Sequence, residues 1–332
     1  MRAVVITKHG GPGVFEVQEF PDPSIGAGEV RISVAAAGVN FADVMARIGL
    51  YPDAPKTPCV VGYEVAGTVL EVGEGVDSVT PGQRVFGSTK FGGYASQVAV
   101  PQTDVIPLPD SLTFEQGAAI PVNYGTAWAA LLGYGSLHAG ERVLIHSAGG
   151  GVGIAATQIA TKVGAEIYGT ASPAKHARIH ELGVTHVLDY TRSGWEKGLP
   201  GFDVILDAVG GKSFRRSYSM LRAGGRLVAF GASSVVSGEK RNLVTALKAA
   251  ARMPRFNMIK QMGESKAVIG LNMLSLWKEF GTLEPWITPL RAMLDDGTIQ
   301  PVIAGTFSFA EAGEAQTMIV ERRNIGKVVL TP

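Results

Sequence analysis

The 332-residue sequence contains a single cysteine, Cys59, which excludes an internal disulfide and any metal site built from several thiolates. No apolar run approaches the roughly 18 residues expected of a membrane span. The net charge is only +1, so no strong field of one sign favours nucleic acid or an anionic membrane as a partner. Residues 1–6 enter a strand-like run directly and lack the layout of a cleaved signal peptide. We therefore expect a cytoplasmic protein that does not bind nucleic acid.

The length of the chain favours two domains, and 43 glycines in a 46% hydrophobic sequence fit an α/β core with many turns. Up to about residue 120 the sequence reads as all-β, with short Val/Ile-rich runs separated by Gly and Pro clusters. From residue 142, strands alternate with helices, which predicts a parallel sheet covered on both faces. The predicted strands of this part are 143–147, 166–170, 186–189, 204–208, 226–231 and 267–271. The last segment, including strand 325–330, is expected to rejoin the first domain.

The most informative stretch is a glycine cluster that follows the apolar run 143–147 and precedes a helical pattern at 154–163. Gly150 and Gly153 take the second and third positions of a G-x-G-x-x-G fingerprint, whose first position holds Ala148. Gly151 and Val152 lie between them. Such a turn presents free backbone N–H groups at a helix N-terminus, where a diphosphate binds. The sequence therefore favours a dinucleotide site over a turn without a ligand.

The second strand of this part indicates which dinucleotide binds. An acidic residue about 20 residues after the glycines usually binds the ribose 2′-hydroxyl, but here the strand ends in Gly169-Thr170-Ala171-Ser172-Pro173. Ser172, Lys175 and Tyr190 could instead bind a 2′-phosphate, which favours NADPH over NADH. Ser172 could also simply cap a helix whose first residue is Pro173, and both interpretations can hold together.

These residues, with several further segments, resemble a known family over nearly the whole chain. The segments are 37–43 (AGVNFAD), 62–67 (GYEVAG), 82–85 (GQRV), 92–95 (GGYA) and the glycine turn. They are similar to those of the medium-chain dehydrogenase/reductase superfamily, in its zinc-independent quinone oxidoreductase group. Details such as 40–47 (NFADVMAR), 122–124 (VNY) and 324–327 (NIGK) look closest to the branch named after the synaptic-vesicle amine-transport protein.

The resemblance implies an α/β fold with a GroES-like β-rich catalytic domain and a Rossmann domain with a doubly wound parallel sheet. We expect the first to comprise residues 1–122 and 298–332 and the second residues 123–297, with a cleft between them. The resemblance also implies a homodimer joined at the edges of the Rossmann sheets, with 267–271 as the edge strand. Zinc-dependent members carry Cys where this chain has Asn40 and His where it has Tyr63, so no metal site is expected.

Without a Lewis acid, hydrogen-bond donors must stabilise the charge that hydride transfer places on the substrate. Quinones and activated C=C bonds need only modest assistance, which favours an NADPH:quinone oxidoreductase or enone reductase. The candidate catalytic residues are Asn40, Tyr51, Tyr63 and Asp43. Each tyrosine could instead be a core residue with its hydroxyl at the surface, and Asp43 could be a helix-end or turn residue. For Asn40→Ala we expect lower turnover with little change in stability.

The remaining cofactor contacts follow from the resemblance. Thr126 is expected to head the bridging helix and to meet a phosphate. Phe230, Gly231 and Ser233 end the fifth strand of the Rossmann part, at the edge where such sheets bind ligands. Asn324 and Lys327 match the family's C-terminal segment near the cofactor, although Lys327 could equally be a solvated strand-edge charge.

Segment 240–263 is basic, contains three methionines and has no acidic residue until after its end. It predicts a helix and a lid over the cleft, and the alternative is contact with a membrane surface or a protein partner. The second functional hypothesis is therefore an NADPH-binding protein with a regulatory or membrane-binding role and little turnover. A third, a zinc alcohol dehydrogenase, predicts bound metal.

Overall fold

The first part of the chain is built mainly from β-strands. A computed structural model describes residues 1–236, 251 and 253–332. The strands are β1 (Arg2–Ile6), β2 (Phe15–Glu19), β3 (Glu29–Val39), β4 (Cys59–Val60), β5 (Glu64–Val72), β6 (Arg84–Ser88), β7 (Gln97–Pro101) and β8 (Val105–Pro107). The helices are α1 (Phe41–Arg47), α2 (Phe114–Gly117) and α3 (Pro121–Trp128), and α3 continues into a π-helical turn, Ala129–Gly133.

The second part alternates strands and helices, as the sequence predicts. Its strands are β9 (Arg142–Ile145), β10 (Glu166–Ala171), β11 (His186–Asp189), β12 (Phe202–Asp207), β13 (Leu221–Ala229) and β14 (Ala267–Gly270). Its helices are α4 (Gly151–Val163), α5 (His176–Glu181), α6 (Lys212–Met220), α7 (Met258–Glu264), α8 (Met273–Phe280), α9 (Glu284–Ile287) and α10 (Leu290–Asp295). The chain ends with β15 (Ile303–Ser308), α11 (Ala312–Val320) and β16 (Lys327–Thr331).

The six strands of the second part form a parallel sheet in the order β11-β10-β9-β12-β13-β14. This is the doubly wound order of a Rossmann sheet, and β9 and β12 flank the point at which the winding reverses. Strand β12 is buried along its whole length, as expected of a central parallel strand covered on both faces. Strand β14 lies at the sheet edge, where the sequence placed its edge strand.

A second sheet has seven strands. Six of them follow the order β15-β16-β3-β5-β6-β8, and the seventh, β7, pairs with β3. The C-terminal strands therefore return to the first part of the chain, as expected. Strand β16 runs antiparallel to β3, with Val329 opposite Gly38. A further three-stranded sheet has the order β2-β1-β4. The fold is thus the expected α/β combination of a GroES-like β-rich unit and a Rossmann unit, and the boundaries at 122/123 and 297/298 stay predictions.

The expectation of an all-β stretch up to residue 120 is wrong in two places, because α1 and α2 interrupt it. Helix α1 begins at Phe41, and the carboxylate of Asp43 accepts a hydrogen bond from the backbone N–H of Asn40 at 2.7 Å. This is the reciprocal half of a capping box, which stabilises a helix start without any long apolar period.

Among the described residues, no helix combines the length and apolar character needed to cross a bilayer.

Candidate active site

One large cavity, about 1250 Å³, opens at the carboxyl edge of the Rossmann sheet and reaches α1 and the start of β16. Every predicted site residue lines it except Asp43. The lining residues predicted from sequence are Asn40, Tyr51, Tyr63, Thr126, Gly150, Gly151, Val152, Gly153, Ser172, Lys175, Tyr190, Phe230, Gly231, Ser233, Asn324 and Lys327. The structure therefore brings together residues that are as much as 287 positions apart in sequence.

The glycine turn has the geometry of a diphosphate cradle. Ser147, with φ of 56°, makes the tight turn after β9, so the fingerprint tolerates Ala148. Gly150 precedes α4, and a Cβ built there would meet only the carbonyl oxygen of Ser147, at 3.3 Å, within 4 Å. A Cβ at Gly153 would lie 2.5 Å from that same oxygen. Gly153 thus allows close packing, and Gly150 leaves room for a ligand at the helix N-terminus.

The candidate 2′-phosphate residues follow β10 at the cavity wall. Ser172 precedes a 3₁₀ turn, Pro173–Lys175, but its side chain makes no capping hydrogen bond. The hydroxyl is therefore not committed to the cap. The Nζ of Lys175 donates to the carbonyl oxygen of Asn324 at 2.5 Å, and burial, with the nearby Arg322, lowers the pKa of this lysine.

Thr126 lies at the cavity but does not head a helix, so that expectation is wrong. Helix α3 starts at Pro121, and Thr126 is its sixth residue, in the second turn. Proline at the first helical turn marks the true start, because its missing N–H costs nothing there. A backbone N–H at the α3 start, that of Val122, donates to Glu64 Oε2 at 2.7 Å rather than to a ligand.

Asp43 is buried beneath the cavity wall. One carboxylate oxygen accepts from the backbone N–H of Asn40 and from the hydroxyl of Tyr94, and the other accepts from the backbone N–H of Gly62. Burial raises the pKa of Asp43 to about 7, against the opposing effect of these hydrogen bonds. The carboxyl therefore titrates near neutrality while it anchors the loop before β5 to α1.

Tyr51 and Tyr63 form an aromatic wall of the cavity. Their rings meet edge to face with centroids 6.4 Å apart, and the ring of Phe91 lies 5.1 Å from that of Tyr63. Burial raises the pKa of Tyr51 to about 12 and that of Tyr63 further, so both phenols stay protonated donors. The hydroxyl of Tyr63 is buried, and no described residue lies at the distance and angle of a normal hydrogen bond to it. The phenol of Tyr51 is near enough to contribute to the raised pKa of Tyr63.

Lys327 is not a solvated strand-edge charge, since only 3% of it is exposed. Its Nζ forms an ion pair with the fully buried carboxylate of Glu64 and donates to Asn40 Oδ1 at 2.6 Å. The importance of Glu64 was not evident from sequence. It lies within the GYEVAG segment, but its partner is 263 residues away, and no local pattern reveals such a pair.

His146, which directly follows β9, is a buried histidine with satisfied ring nitrogens. Nε2 lies 3.0 Å from Ser217 Oγ, and Ser217 in turn donates to Asp207 at 2.7 Å. Nδ1 lies 3.2 Å from Thr170 Oγ1. Burial lowers the pKa of His146, while Asp207 opposes that effect.

The fifth Rossmann strand, β13, ends at Ala229, and Phe230, Gly231 and Ser233 follow it along the cavity. The backbone N–H of Ser233 donates to the carbonyl of Ala208, after β12, at 2.9 Å. Trp195, Arg216 and Arg322 are among the cavity residues that were not predicted. They come from loops and exposed helix faces, where neither period nor composition marks a ligand site.

Segment 240–263 lies partly outside the described residues, namely at 240–250 and 252. Its described end contains α7, which starts after the capping side chain of Asn257. Three apolar side chains of this helix are exposed to solvent, Met258 by 70%, Ile259 by 80% and Met262 by 74%.

Within the described ranges, no group of three or more His, Cys, Asp or Glu side chains could hold a metal ion.

Comparison with known proteins identifies the family of the chain. Residues 26–110 match the alcohol dehydrogenase GroES-like domain, and residues 182–330 match the zinc-binding dehydrogenase family. The synaptic vesicle membrane protein VAT-1 homolog of Rattus norvegicus is 36% identical over 340 residues, which cover 100% of this chain and 84% of that protein.

Two solved structures share the fold over nearly their whole lengths. The CurK enoyl reductase superposes with a TM-score of 0.85 at 26% identity, covering 99% of this chain and 98% of its own. The NADPH complex of the Escherichia coli quinone oxidoreductase gives 0.83 at 27% identity, covering 100% of both chains. The chain therefore belongs to the medium-chain dehydrogenase/reductase superfamily of oxidoreductases, close to the VAT-1 homologs and to the zinc-independent quinone oxidoreductases.

Proposed function

We propose that this protein is an NADPH-dependent reductase that transfers hydride to quinones or α,β-unsaturated carbonyl compounds. One observation carries the proposal: the glycine turn and an apolar, donor-bearing wall open into the same cavity. The turn fits a dinucleotide diphosphate, and the wall offers phenol and amide donors beside apolar side chains. The apolar lining includes Phe41, Met45, Leu274 and Trp277.

NADPH, when bound, supplies the hydride. The chain holds the cofactor through the N-terminus of α4, and Ser172, Lys175 and Tyr190 recognise its 2′-phosphate. Thr126, the residues after β13 and the C-terminal Asn324 and Lys327 complete the cofactor site. The two solved relatives that support this assignment are a quinone oxidoreductase described with NADPH and an enoyl reductase.

The substrate end of the cavity is aromatic and carries neutral donors. Asn40, Tyr51 and Tyr63 are the donors that stabilise negative charge on a substrate oxygen. Asp43 acts indirectly, because its carboxylate holds the backbone N–H of Asn40. An uncharged, conjugated carbonyl compound fits such a wall, since burial of a charged substrate among these side chains carries a desolvation cost.

The test is NADPH oxidation by the purified protein against a panel of quinones and α,β-unsaturated ketones, with NADH in parallel. Turnover that prefers NADPH supports the reductase, and the best substrate narrows its class. Tight NADPH binding without turnover on any member overturns it. Zinc measured by elemental analysis at one atom per chain would instead support the alcohol dehydrogenase hypothesis.

The exposed apolar face of α7 favours a second candidate function, an NADPH-binding protein that engages a membrane surface or a partner. The nearby cationic residues Arg255 and Lys260 would add attraction to anionic lipid. Co-sedimentation with anionic vesicles at physiological salt tests this role. Serine substitutions at Met258, Ile259 and Met262 provide the matched control, and binding that they abolish would support it. In either role we propose a cytoplasmic location, where a lone thiol such as Cys59 stays reduced.

A further inference from the structure

Three polar side chains from distant parts of the chain form a closed triangle at the cavity wall. Lys327 Nζ donates to Asn40 Oδ1 at 2.6 Å and forms an ion pair with Glu64 Oε1. Asn40 Nδ2 donates to the same Glu64 oxygen at 3.0 Å. Asn40 and Lys327 line the cavity, whereas Glu64 is fully buried behind them.

The triangle joins three elements of the fold. Asn40 precedes α1, Glu64 begins β5 and Lys327 begins β16. The second oxygen of Glu64 accepts from the backbone N–H of Val122 at the start of α3, at 2.7 Å. Both carboxylate oxygens therefore have partners, as a charge buried this deeply requires.

The charges of the two partners determine the orientation of the Asn40 amide. An ammonium can only donate hydrogen bonds, and an ionised carboxylate can only accept them. Oδ1 of Asn40 must therefore face Lys327, and Nδ2 must face Glu64. An amide nitrogen carries two hydrogens and Glu64 accepts one, so a second N–H of Asn40 remains at the cavity wall.

Building on the proposed reductase function, we propose that Lys327 and Glu64 are positioning residues that make Asn40 a donor to the substrate oxygen. A free asparagine could turn either its carbonyl or its amino group to the substrate. Held in the triangle, it offers only N–H, which is the group that stabilises a carbonyl oxygen gaining negative charge. Lys327 also polarises the amide through Oδ1, which strengthens its N–H as a donor.

The inference predicts a specific pattern for Lys327→Met, which keeps most of the apolar stem and removes the ammonium. We expect kcat to fall by about 10- to 100-fold, because a misplaced catalytic group costs up to two orders of magnitude. The KM for the carbonyl substrate should change much less. Lys327→Arg retains a cationic donor and should recover part of kcat.

The control for broken ion pairing is Arg226→Met. Arg226 pairs with Glu141 at 2.9 Å, each side chain is 16% exposed, and neither residue lines the cavity. This variant should lose stability without a specific fall in kcat. If Lys327→Met does not fold, Glu64→Gln replaces it, because it keeps the shape of the carboxylate and removes the charge.

A second readout does not require turnover. The chain has six asparagines, so selective ¹⁵N-asparagine labelling gives a small set of side-chain amide signals in NMR spectra. Each side chain gives a pair of N–H signals, and the pair that disappears in Asn40→Asp belongs to Asn40. We expect that pair to shift in Lys327→Met and Glu64→Gln and to stay in place in Arg226→Met. An unshifted pair, or a shifted pair with unchanged kcat, overturns the positioning role. If the wild-type protein reduces no substrate, the proposed function fails, and the amide signals still decide whether the triangle fixes Asn40.

Discussion

The ammonium of Lys175 donates a hydrogen bond to the backbone carbonyl of Asn324, with 2.5 Å between Nζ and the oxygen. One residue follows β10 of the Rossmann sheet, and the other precedes β16 of the seven-stranded sheet. Nearby, the backbone N–H of Gly326 donates to the carbonyl of Gly149 at 2.9 Å. The C-terminal segment therefore lies directly against both the glycine turn and the proposed 2′-phosphate site.

Lys175→Ala should weaken NADPH binding and leave NADH binding nearly unchanged. A charge-assisted hydrogen bond contributes about 1.5–3 kcal/mol, which corresponds to roughly 10- to 100-fold in Kd. Because Lys175 also bonds to the carbonyl of Asn324, which competes with the phosphate, we expect the loss of NADPH affinity to lie near the lower end of this range. Titration of protein fluorescence with each cofactor measures the two dissociation constants.

The control for this prediction is Lys162→Ala. Lys162, on α4, forms an exposed ion pair with Asp296 at 2.9 Å, and neither residue lines the cavity. Its removal should alter neither cofactor's binding. Equal weakening of NADPH and NADH by Lys175→Ala would contradict a 2′-phosphate contact and would indicate a role in holding Asn324.

Two glycines of the same turn should separate cofactor binding from folding. Gly150→Ala adds a methyl group toward the ligand side with only one close neighbour, Ser147 O at 3.3 Å. It should cost less than about 1 kcal/mol in unfolding free energy and weaken NADPH binding at least about tenfold. Isothermal titration calorimetry and urea unfolding measure the two effects.

Gly153→Ala is the matched variant, because its added Cβ would lie 2.5 Å from Ser147 O and 2.7 Å from Ala148 Cα. Overpacking of this kind costs about 1–3 kcal/mol. A loss of stability in Gly153→Ala together with normal stability in Gly150→Ala is the expected result. The reverse order would mean that Gly150, rather than Gly153, sets the packing of α4 on β9.

Much of this fold could be predicted from the sequence, because the relevant signals are local and periodic. The strands β9 and β12 contain the apolar runs 143–145 and 204–206, and glycines mark the turn before α4. The helix α1 was missed because it is seven residues long and starts with side-chain hydrogen bonds rather than with an apolar period. The position of Thr126 was misjudged for a similar reason, since the helix start depends on Pro121.

The candidate site was predicted less completely, because its polar contacts are long-range. Motif residues such as Gly150 and Ser172 could be found because the chain around them has a recognisable order. Glu64 and Lys327 could not be paired from sequence, since a buried ion pair leaves no periodic trace in either segment. Asn40 shows the consequence: its place near the substrate was expected, but its two charged partners were not.

The expected effect of Asn40→Ala must therefore be revised. Removal of the amide takes a hydrogen bond from both Lys327 and Glu64 in a buried site. Instead of little change in stability, we expect a loss of about 1–3 kcal/mol together with a fall in turnover of about 100-fold. Thermal unfolding and steady-state kinetics on the same preparation test both parts. Unchanged kinetics would remove Asn40 from the site.

The edge position of β14 leads to the prediction of a homodimer. A free sheet edge presents unpaired N–H and C=O groups that another chain can satisfy. We expect light scattering to give a mass of two 34.8 kDa chains. Lysine in place of Ile269, within β14, should shift the mass toward one chain, while lysine in place of Leu70, already 44% exposed, should not. A monomeric wild-type protein would contradict the prediction.

His146 should make the stability of the protein depend on pH in a defined direction. Its pKa is lowered from 6.5 by burial, so below about pH 6.5 the unfolded chain takes up a proton that the folded chain resists. The free energy of unfolding should therefore decrease as the pH falls from 6.5 toward 5, and this part of the decrease should be absent in His146→Gln. Urea unfolding at several pH values measures it, and His180→Gln, at an exposed histidine, is the control. If His146→Gln keeps the wild-type pH profile, the pKa of His146 is the same in the folded and unfolded chains, and the nearby carboxylate of Asp207 fully offsets the effect of burial.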